Sequence, residues 1–332
     1  MEGTVLITGA NGSLALDFVD QLLASYPTVA LVGTVRNVSN EDPNTAKLNN
    51  ILSKYPGRNV QVERLDLNSL DNVRQFADSL ADRVATGSLP RISALVCNAF
   101  TWSLSGAAKY STDGFESSFQ VTYLSHYLLV LKLLGSMDAE KGRIVMLGST
   151  AHNAELPNPL TKLKACFPDD IEELVHAPEH PPEQNHDRGF QRYGTAKLMI
   201  VFFMNDLNRR LQKDPKLNKI SVLAMDPGGL TNSRAHVEQR PFARVMFSAL
   251  NFFLPVLKYL TSDLRSTSQS ATDLVEVAVG PEFHHVRGYF DGRQPSEPAK
   301  ITQDEQKQDL LWRASWKWSG LTEEETTLCQ KQ

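Results

Sequence analysis

Residues 5–16 of this chain read VLITGANGSLAL, and this stretch decides the fold. Its first residues are apolar or β-branched and predict a buried strand, while the residues after the turn predict a helix. Gly9 and Gly12 lie between them and allow a tight turn with a close backbone approach. Such a turn presents backbone N–H groups and the positive end of a helix dipole to an anion. The stretch therefore predicts a phosphate-binding loop, although Ser13 and Ala15 stand where such loops often have glycine.

Short apolar runs rich in β-branched residues alternate along the chain with segments of helical periodicity. We expect about seven strands from these runs: Val5–Thr8, Val29–Val35, Val60–Leu65, Ile92–Cys97, Ile144–Leu147, Ile220–Met225 and Gly288–Phe290. Helices between apolar strands indicate a parallel sheet that is covered on both faces. The predicted fold is an α/β, Rossmann-like doubly wound sheet, whose ligand should lie at the carboxyl ends of the strands.

The chain is predicted to hold one domain, residues 1–300, followed by a C-terminal helical extension over 301–332. Within the domain we expect an irregular insertion over 153–189 and a substrate lid over 230–262, because long connections are usually functional or disordered. The most apolar stretch, 242–260, is too interrupted by polar residues to span a membrane. We favour a lid or core helix there, and a helix lying on a membrane surface is the alternative.

The composition is that of an ordinary globular protein. The 332 residues are 41% hydrophobic and carry a net charge of −4, which excludes the basic footprint of a nucleic-acid-binding protein. Three cysteines show no disulfide or metal spacing and indicate a reducing, cytoplasmic location. The chain enters a strand almost at once, so no signal peptide is expected. The histidines of the proline-rich insertion lack the spacing of a metal site, and no metal is expected.

A possible proton-transfer centre stands out in the second half of the chain. Tyr193 and Lys197 are spaced i, i+4 and share one face of a predicted helix. A neighbouring ammonium lowers the pKa of a phenol, which can then exchange a proton near neutral pH. Ser149 ends the fifth predicted strand, where its hydroxyl could hydrogen-bond a substrate oxygen. Each feature alone is weak, but together, at one edge of the sheet, they predict an active site.

Two residues at strand ends bear on nucleotide recognition. Arg36 follows the second strand, where an acidic residue would accept the ribose 2′-hydroxyl of NAD and an arginine would pair with the 2′-phosphate of NADP. The sequence therefore favours NADP. Asp66 ends the third strand and could accept the adenine amino group, cap the next helix, or do both.

The combined pattern resembles the short-chain dehydrogenase/reductase superfamily over nearly the whole chain. The pieces that carry the resemblance are TGANGSLA (8–15), Asp66, CNAF (97–100), Ser149, YGTAK (193–197) and DPGGLTNSR (226–234). The resemblance implies that Tyr193 is the general acid/base, that Lys197 lowers its pKa and binds the nicotinamide ribose, and that Ser149 orients the carbonyl. NADP-preferring fungal members of the retinol-dehydrogenase and 3-ketosteroid-reductase type are the most similar. Membership also implies a homodimer or tetramer.

The resemblance further implies which residues contact NADP(H). They are Gly9, Asn11, Gly12, Ser13, Leu14, Arg36, Asp66, Leu67, Asn98, Ala99, Tyr193, Lys197, Pro227, Gly228 and Gly229. Two positions depart from the family pattern. Thr122 stands where the family usually has an asparagine that holds a water beside the lysine, so the proton relay is in question. Asp226 stands where a neutral residue or histidine is commoner.

We expect an NADPH-dependent reductase of a ketone or aldehyde, or the reverse alcohol dehydrogenase. The aromatic residues of the lid, Phe242, Phe247, Phe252 and Phe253, predict a bulky apolar substrate, sterol-like, polyketide-like or another secondary metabolite. Thr150, His152, Leu230 and Phe247 are the candidate pocket residues. A non-redox dehydratase, isomerase or cyclase that uses the dinucleotide as a scaffold is the alternative. A nucleotide sensor is disfavoured, because a sensor needs no tuned phenol.

Overall fold

The computed structural model describes residues 2–257 and 264–328, without the side chains of positions 238, 247 and 255–257. Ten strands are present in this part of the chain: β1 (Gly3–Thr8), β2 (Val29–Val35), β3 (Val60–Arg64), β4 (Ile92–Cys97), β5 (Arg143–Leu147), β6 (Ser221–Asp226), β7 (Gly229–Leu230), β8 (Leu264–Arg265), β9 (Gly288–Asp291) and β10 (Gln294–Pro295). Eight of them form one sheet in the order β10-β9-β6-β5-β4-β1-β2-β3. The predicted doubly wound, mostly parallel sheet is therefore confirmed.

All seven predicted strands lie in this sheet, and they run parallel to one another. The eighth strand, β10, was not predicted. It has two residues, pairs antiparallel with β9 at the sheet edge and includes Pro295. A strand this short carries no alternating pattern, so the sequence has no signal for it.

Helices cover both faces of the sheet. They are α1 (Ser13–Ser25), α2 (Pro43–Leu52), α3 (Leu70–Ala85), α4 (Ser117–Phe119), α5 (Ser125–Leu133), α6 (Asn185–Lys213), α7 (Pro241–Leu257), α8 (Thr267–Val279) and α9 (Glu305–Ser319). Successive β1 side chains alternate between the two faces. Leu6 packs in the cluster that holds α3, α5, α6 and α9, whereas Val5 and Ile7 pack in the cluster that holds α1 and α8.

The predicted insertion, 153–189, is largely irregular, as its composition indicates. It contains two short 3₁₀ turns, Ile171–Leu174 and Pro182–Gln184. However, α6 already begins at Asn185, inside the predicted insertion, and continues to Lys213. The extra turns matter because they bring the first part of α6 over the chain near Ser103, beside the predicted active site.

The C-terminal helix α9 is part of the core rather than an appendage. Trp312 is 2% exposed, and the Tyr127 hydroxyl donates to its carbonyl over 3.3 Å. The Arg210 guanidinium lies 4.1 Å from the centre of the Trp312 ring, a cation–π distance. The Tyr123 hydroxyl and the Ser315 hydroxyl are 2.8 Å apart. These contacts join α9 to α5 and α6.

The lid helix α7 lies on the surface. Its Phe242 and Phe252 side chains are 80% and 77% exposed, and Phe253 is 56% exposed. Our expectation that these rings line the pocket is therefore wrong: a helix on the surface turns only one face inward, and here that face carries Ala243, which is buried. The Phe247 side chain and residues 258–262 of the predicted lid lie outside the described part. No helix among the described residues is long and apolar enough to cross a membrane.

Gly189 allows the close contact between α6 and the preceding chain. A Cβ at this position would lie 2.0 Å from the Ser103 carbonyl oxygen, a backbone atom that cannot rotate away. We predict that Gly189→Ala lowers the free energy of unfolding by about 1–3 kcal/mol, the usual cost of overpacking. Urea unfolding measures the change. Gly106→Ala, whose Cβ would meet nothing within 4 Å, is the control. Equal stabilities of the two variants would contradict the predicted contact.

Candidate active site

The glycine turn after β1 forms a cradle. Two of its positions, Gly9 and Gly12, leave little room for a side chain. Gly9 has a φ of +65° and would place a Cβ 3.1 Å from the Ala99 Cβ. At Gly12, a Cβ would lie 3.0 Å from the Gly9 carbonyl oxygen. Gly12 caps α1, so the first turn of this helix begins directly at the cradle. These features fit a dinucleotide pyrophosphate, which needs close backbone approach and a helix N-terminus.

The hydroxyl of Thr8 connects the cradle at the end of β1 to the end of the neighbouring strand β4. It accepts the backbone N–H groups of Asn98 and Ala99, each over 3.0 Å. The Asn98 amide donates in turn to the carbonyls of Thr8 and Gly9, over 2.9 and 3.2 Å. The predicted cofactor residues at the ends of β1 and β4 therefore form one hydrogen-bonded unit.

One cavity of about 1010 Å³ connects the cradle to the predicted catalytic residues. Of the predicted cofactor residues, thirteen lie in its wall: Gly9, Asn11, Gly12, Ser13, Leu14, Arg36, Asn98, Ala99, Tyr193, Lys197, Pro227, Gly228 and Gly229. Asp66 and Leu67 are not in the wall. Asp66 instead accepts the Asn68 N–H over 3.0 Å. The cap of α3 is Ser69, so the predicted capping role of Asp66 is wrong.

Ser149, Tyr193 and Lys197 face this cavity together. Ser149 follows β5, where it caps a 3₁₀ turn and accepts the Ala151 N–H over 3.2 Å. Its hydroxyl favours the ionised form of the Tyr193 phenol. The Lys197 ammonium donates to the Leu147 carbonyl over 2.6 Å and lies 5.7 Å from the centre of the Tyr193 ring. The site is therefore assembled from the end of β5 and one face of α6.

Burial dominates the proton affinities of the centre. It raises the pKa of Tyr193, although the Ser149 hydrogen bond acts in the opposite direction and favours the phenolate. Burial lowers the pKa of Lys197 to about 7. The sequence predicted that Lys197 would lower the pKa of Tyr193, but here burial outweighs any such effect. The environment therefore favours a neutral phenol.

Asp226 adds a buried carboxylate to the same wall. It is 4% exposed, and one of its oxygens accepts the Gly228 N–H over 2.7 Å. Burial raises the pKa of the Asp226 carboxyl, and this hydrogen bond partly opposes the rise. Its negative charge raises the pKa of both Tyr193 and Lys197. Asp226 thus favours the protonated forms of the two groups beside it.

Thr122 lies behind the centre in a π-helical segment, Gln120–Leu124, and is fully buried. Its hydroxyl has no hydrogen-bond partner within the described chain. Its carbonyl, however, is 3.0 Å from Nδ1 of His126, whose Nε2 is 2.9 Å from the Thr8 hydroxyl. Because that hydroxyl already accepts two N–H groups, it donates to Nε2, and the ring proton must be on Nδ1. Burial lowers the pKa of His126 to about 4, which keeps the ring neutral.

The substrate side of the cavity is mostly apolar and contains residues that sequence reasoning missed. Its wall includes Phe100, Trp102, Leu156, Leu160, Phe190 and Met246. The Trp102 ring centre is 5.0 Å from that of Tyr193, and the Phe100 ring centre is 5.5 Å from it. The only sequence signal was the phenylalanine of the CNAF stretch, Phe100, followed two positions later by Trp102. The irregular insertion, which gave no pattern, contributes Leu156 and Leu160.

Of the four predicted pocket residues, two line the cavity, one does not, and one has a side chain outside the described part. Thr150 and Leu230 line the cavity, and the Phe247 side chain is outside the described part. His152 does not line it. It is 2% exposed, its Nδ1 lies 2.7 Å from the Ser149 carbonyl, and its Nε2 accepts the Ala299 N–H over 3.1 Å. His152 therefore ties the catalytic turn to the chain before α9. No group of three potential metal ligands exists among the described residues.

Known proteins share these features. A model of the short chain dehydrogenase family matches residues 3–159, and a model of the AcuH dehydrogenase domain matches residues 228–328. The short-chain dehydrogenase iccH of Talaromyces variabilis is 32% identical over 370 aligned positions, which cover 98% of each protein. The chain belongs to the short-chain dehydrogenase family. It is accordingly an oxidoreductase, and families of this kind use nicotinamide cofactors and small-molecule substrates.

Two further relatives extend the comparison. Mouse retinol dehydrogenase 13 is 29% identical, and the match covers 96% of this dehydrogenase and 84% of the mouse protein. The solved short-chain dehydrogenase/reductase of Serratia marcescens is 16% identical, with a TM-score of 0.57 over 88% of this chain and 97% of that one. The similarity to the Serratia marcescens structure shows that the two proteins share a fold.

The buried ammonium of Lys197 predicts a pH-dependent stability. Because its pKa falls from an ordinary value of 10.5 to about 7, the unfolded enzyme binds more protons than the folded enzyme between these values. Stability should therefore rise with pH in this window. Relative to Lys197→Met, the wild type should gain up to about 1.4 kcal/mol per pH unit between pH 7 and 10.

Urea unfolding at a series of pH values measures this difference. The matched control is Lys216→Met, which removes an exposed lysine. Its stability should follow the wild type at every pH. Parallel curves for the wild type and Lys197→Met would contradict the lowered pKa.

Proposed function

We propose that this dehydrogenase uses NADPH to reduce a ketone or aldehyde group of a bulky apolar substrate. One observation carries the proposal: Ser149, Tyr193 and Lys197 together face the cavity that also contains the glycine cradle. A nicotinamide bound there would supply the hydride. The residues of this chain would bind the carbonyl oxygen and deliver the proton.

Tyr193 is the proton donor in this scheme. Its phenol is kept neutral by burial and by the Asp226 charge, and a neutral phenol is the form that can protonate a developing alkoxide. Ser149 hydrogen-bonds the same oxygen and fixes its position. Lys197, with a pKa lowered to about 7, can pass a proton near neutral pH. This assignment supports the reductive direction, because the proton donor Tyr193 starts out protonated.

Two features support the substrate and cofactor classes. The aromatic and aliphatic wall around Tyr193 suits a large apolar molecule with few polar anchors. The name of the mouse relative states an apolar alcohol, retinol, as its substrate. Arg36 lies in the cavity wall after β2, where a guanidinium would pair with a 2′-phosphate. A secondary metabolite of sterol or polyketide type fits the same wall.

We also propose a reducing compartment such as the cytoplasm as the working location. Cys97 is buried and Cys166 is exposed, and both are free thiols. An exposed thiol persists most readily where disulfides do not form.

Tyr193→Phe tests the reaction. NADPH oxidation at 340 nm is followed with a panel of bulky ketones and aldehydes, and the product is identified by mass. Removing the phenol proton should lower kcat by about 10²–10⁴-fold, the usual contribution of a general acid. NADPH affinity should be retained. If both proteins oxidise NADPH equally, the proposed role of Tyr193 is wrong.

The same assay addresses a non-redox reaction. A carbonyl product formed by dehydration or isomerisation without consumption of NADPH would overturn the redox proposal. Tight NADPH binding with no turnover of any panel member, by a wild type that folds normally, would point instead to a sensor.

Arg36→Ala tests the cofactor preference. Loss of a charge-assisted pair with the 2′-phosphate should raise the Kd of NADPH about 10–100-fold. The Kd of NADH should be unchanged, because NADH has no 2′-phosphate. Fluorescence titration of both dinucleotides gives the ratio. Equal affinities of the wild type for NADH and NADPH would contradict the assignment.

A further inference from the structure

Arg234 reaches from the lid side of the cavity to the glycine cradle. It follows β7 and begins a 3₁₀ turn, Arg234–Glu238. Its backbone N–H donates to the Ser13 hydroxyl oxygen over 3.1 Å, and its Nε donates to the same oxygen over 3.2 Å. A terminal guanidinium nitrogen donates to the Asn11 carbonyl over 2.5 Å. Residues 221 positions apart in sequence are thus joined at the phosphate-binding turn.

These contacts determine what the Ser13 hydroxyl can do. A serine hydroxyl has one proton to donate and two lone pairs to accept with. Arg234 occupies both lone pairs, so the remaining function of the hydroxyl is donation. The guanidinium places a positive charge next to that donor. A donor beside a fixed cation, in the wall of a cavity, is suited to an anionic oxygen.

Arg234 lines the cavity but remains exposed to solvent. Partial burial lowers the pKa of its guanidinium, and the charge of Asp42 only partly opposes this. The Asp42 carboxylate is itself engaged as the cap of α2, where it accepts the N–H groups of Asn44 and Thr45 over 3.0 and 2.8 Å. A bound anion would favour the charged guanidinium more directly than this distant cap does.

We propose that Ser13 and Arg234 together bind the pyrophosphate of the dinucleotide, and that this contact holds the segment 230–239 against the cradle. The inference rests on the proposed dinucleotide-dependent function. His236 and Gln239 of the same segment line the cavity, so binding of the pyrophosphate completes the substrate side of the pocket. Ser13, where the family usually has glycine, is the anchor for an arginine from the lid.

The first test is the affinity of Arg234→Ala for NADPH and for NADH. Both dinucleotides contain the pyrophosphate, so both Kd values should rise by the same factor, about 10–100-fold. Arg240→Ala is the matched control, because Arg240 is an exposed arginine of the same region and pairs with Asp187 at 3.4 Å. The control should bind like the wild type. Arg234→Lys keeps the charge but loses the two-nitrogen geometry and should lie in between.

The second variant is Ser13→Ala, alone and together with Arg234→Ala. Because Ser13 acts through the oxygen that Arg234 holds, the two losses should be less than additive in a double-mutant cycle. Full additivity would show that the two residues act independently. It would contradict the proposal that they bind the pyrophosphate together. A rise in the Kd of NADPH alone would assign Arg234 to the 2′-phosphate and would also overturn the proposal.

Hydrogen–deuterium exchange tests the coupling to the lid segment without any turnover. NADPH should slow exchange of the backbone amides of 230–239 in the wild type and in Arg240→Ala, but not in Arg234→Ala at saturating NADPH. Unchanged protection in Arg234→Ala would refute the coupling. Failure of the proposed reduction is distinguishable, because it would appear as NADPH binding without NADPH oxidation by the wild type, whereas failure of this inference would appear in the binding and exchange measurements.

Discussion

The hydroxyl of Thr8 is the point on which the rest of the site depends. It accepts two backbone N–H groups at the end of β4 and donates to His126 in the helix behind the active site. A single oxygen therefore uses both lone pairs and its proton to join three elements of the fold. The cradle lies on one side of this oxygen, and the π-helical segment that contains Thr122 lies on the other. Any shift of β1 relative to β4 would break these hydrogen bonds and move the phosphate-binding turn.

The second constraint is the burial of charge at the catalytic centre. An ammonium and a carboxylate, Lys197 and Asp226, both face the cavity although each is at most 4% exposed. Removing either charge from water is expensive, and the cost is met by specific contacts: the Leu147 carbonyl for one and the Gly228 N–H for the other. The Asp226 carboxylate shifts Lys197 toward its ionised form and keeps the proton on Tyr193. Proton affinity at this site is thus set by groups from α6 and β6 acting jointly.

Much of the fold follows from local sequence pattern. The seven parallel strands were predictable because each is a continuous apolar run between helical segments, and a parallel sheet buried on both faces needs that pattern. Ser149, Tyr193 and Lys197 were predictable because strand ends and helix faces bring them to one edge. The edge strand β10 was not, because a strand of two residues carries no pattern. The early start of α6 was not, because it depends on packing against the distant chain near Ser103.

The substrate side was predicted least well. The aromatic rings of α7 seemed suited to a pocket, yet Phe242 and Phe252 face away from it, since composition does not say which face of a helix turns inward. The pocket wall instead includes Trp102 and the irregular insertion, which have no periodicity to read. His152 has the spacing of a pocket residue, but its two ring nitrogens are both used to hold backbone.

The departures from the family pattern are linked to partners elsewhere in the chain. At the cradle, Ser13 replaces a glycine, and its hydroxyl is bound twice by Arg234. At the π-helical segment, Thr122 replaces an asparagine, and its carbonyl is bound by His126, which is fixed by Thr8. A decaying site loses side chains without acquiring contacts for their replacements, which leaves buried polar groups unsatisfied. The Ser13 hydroxyl has such contacts. At Thr122 the backbone carbonyl has a partner, but the hydroxyl has none among the described residues. The two substitutions therefore differ in kind: the Ser13 hydroxyl has a partner, whereas the buried Thr122 hydroxyl has none in the part of the chain that the structure describes.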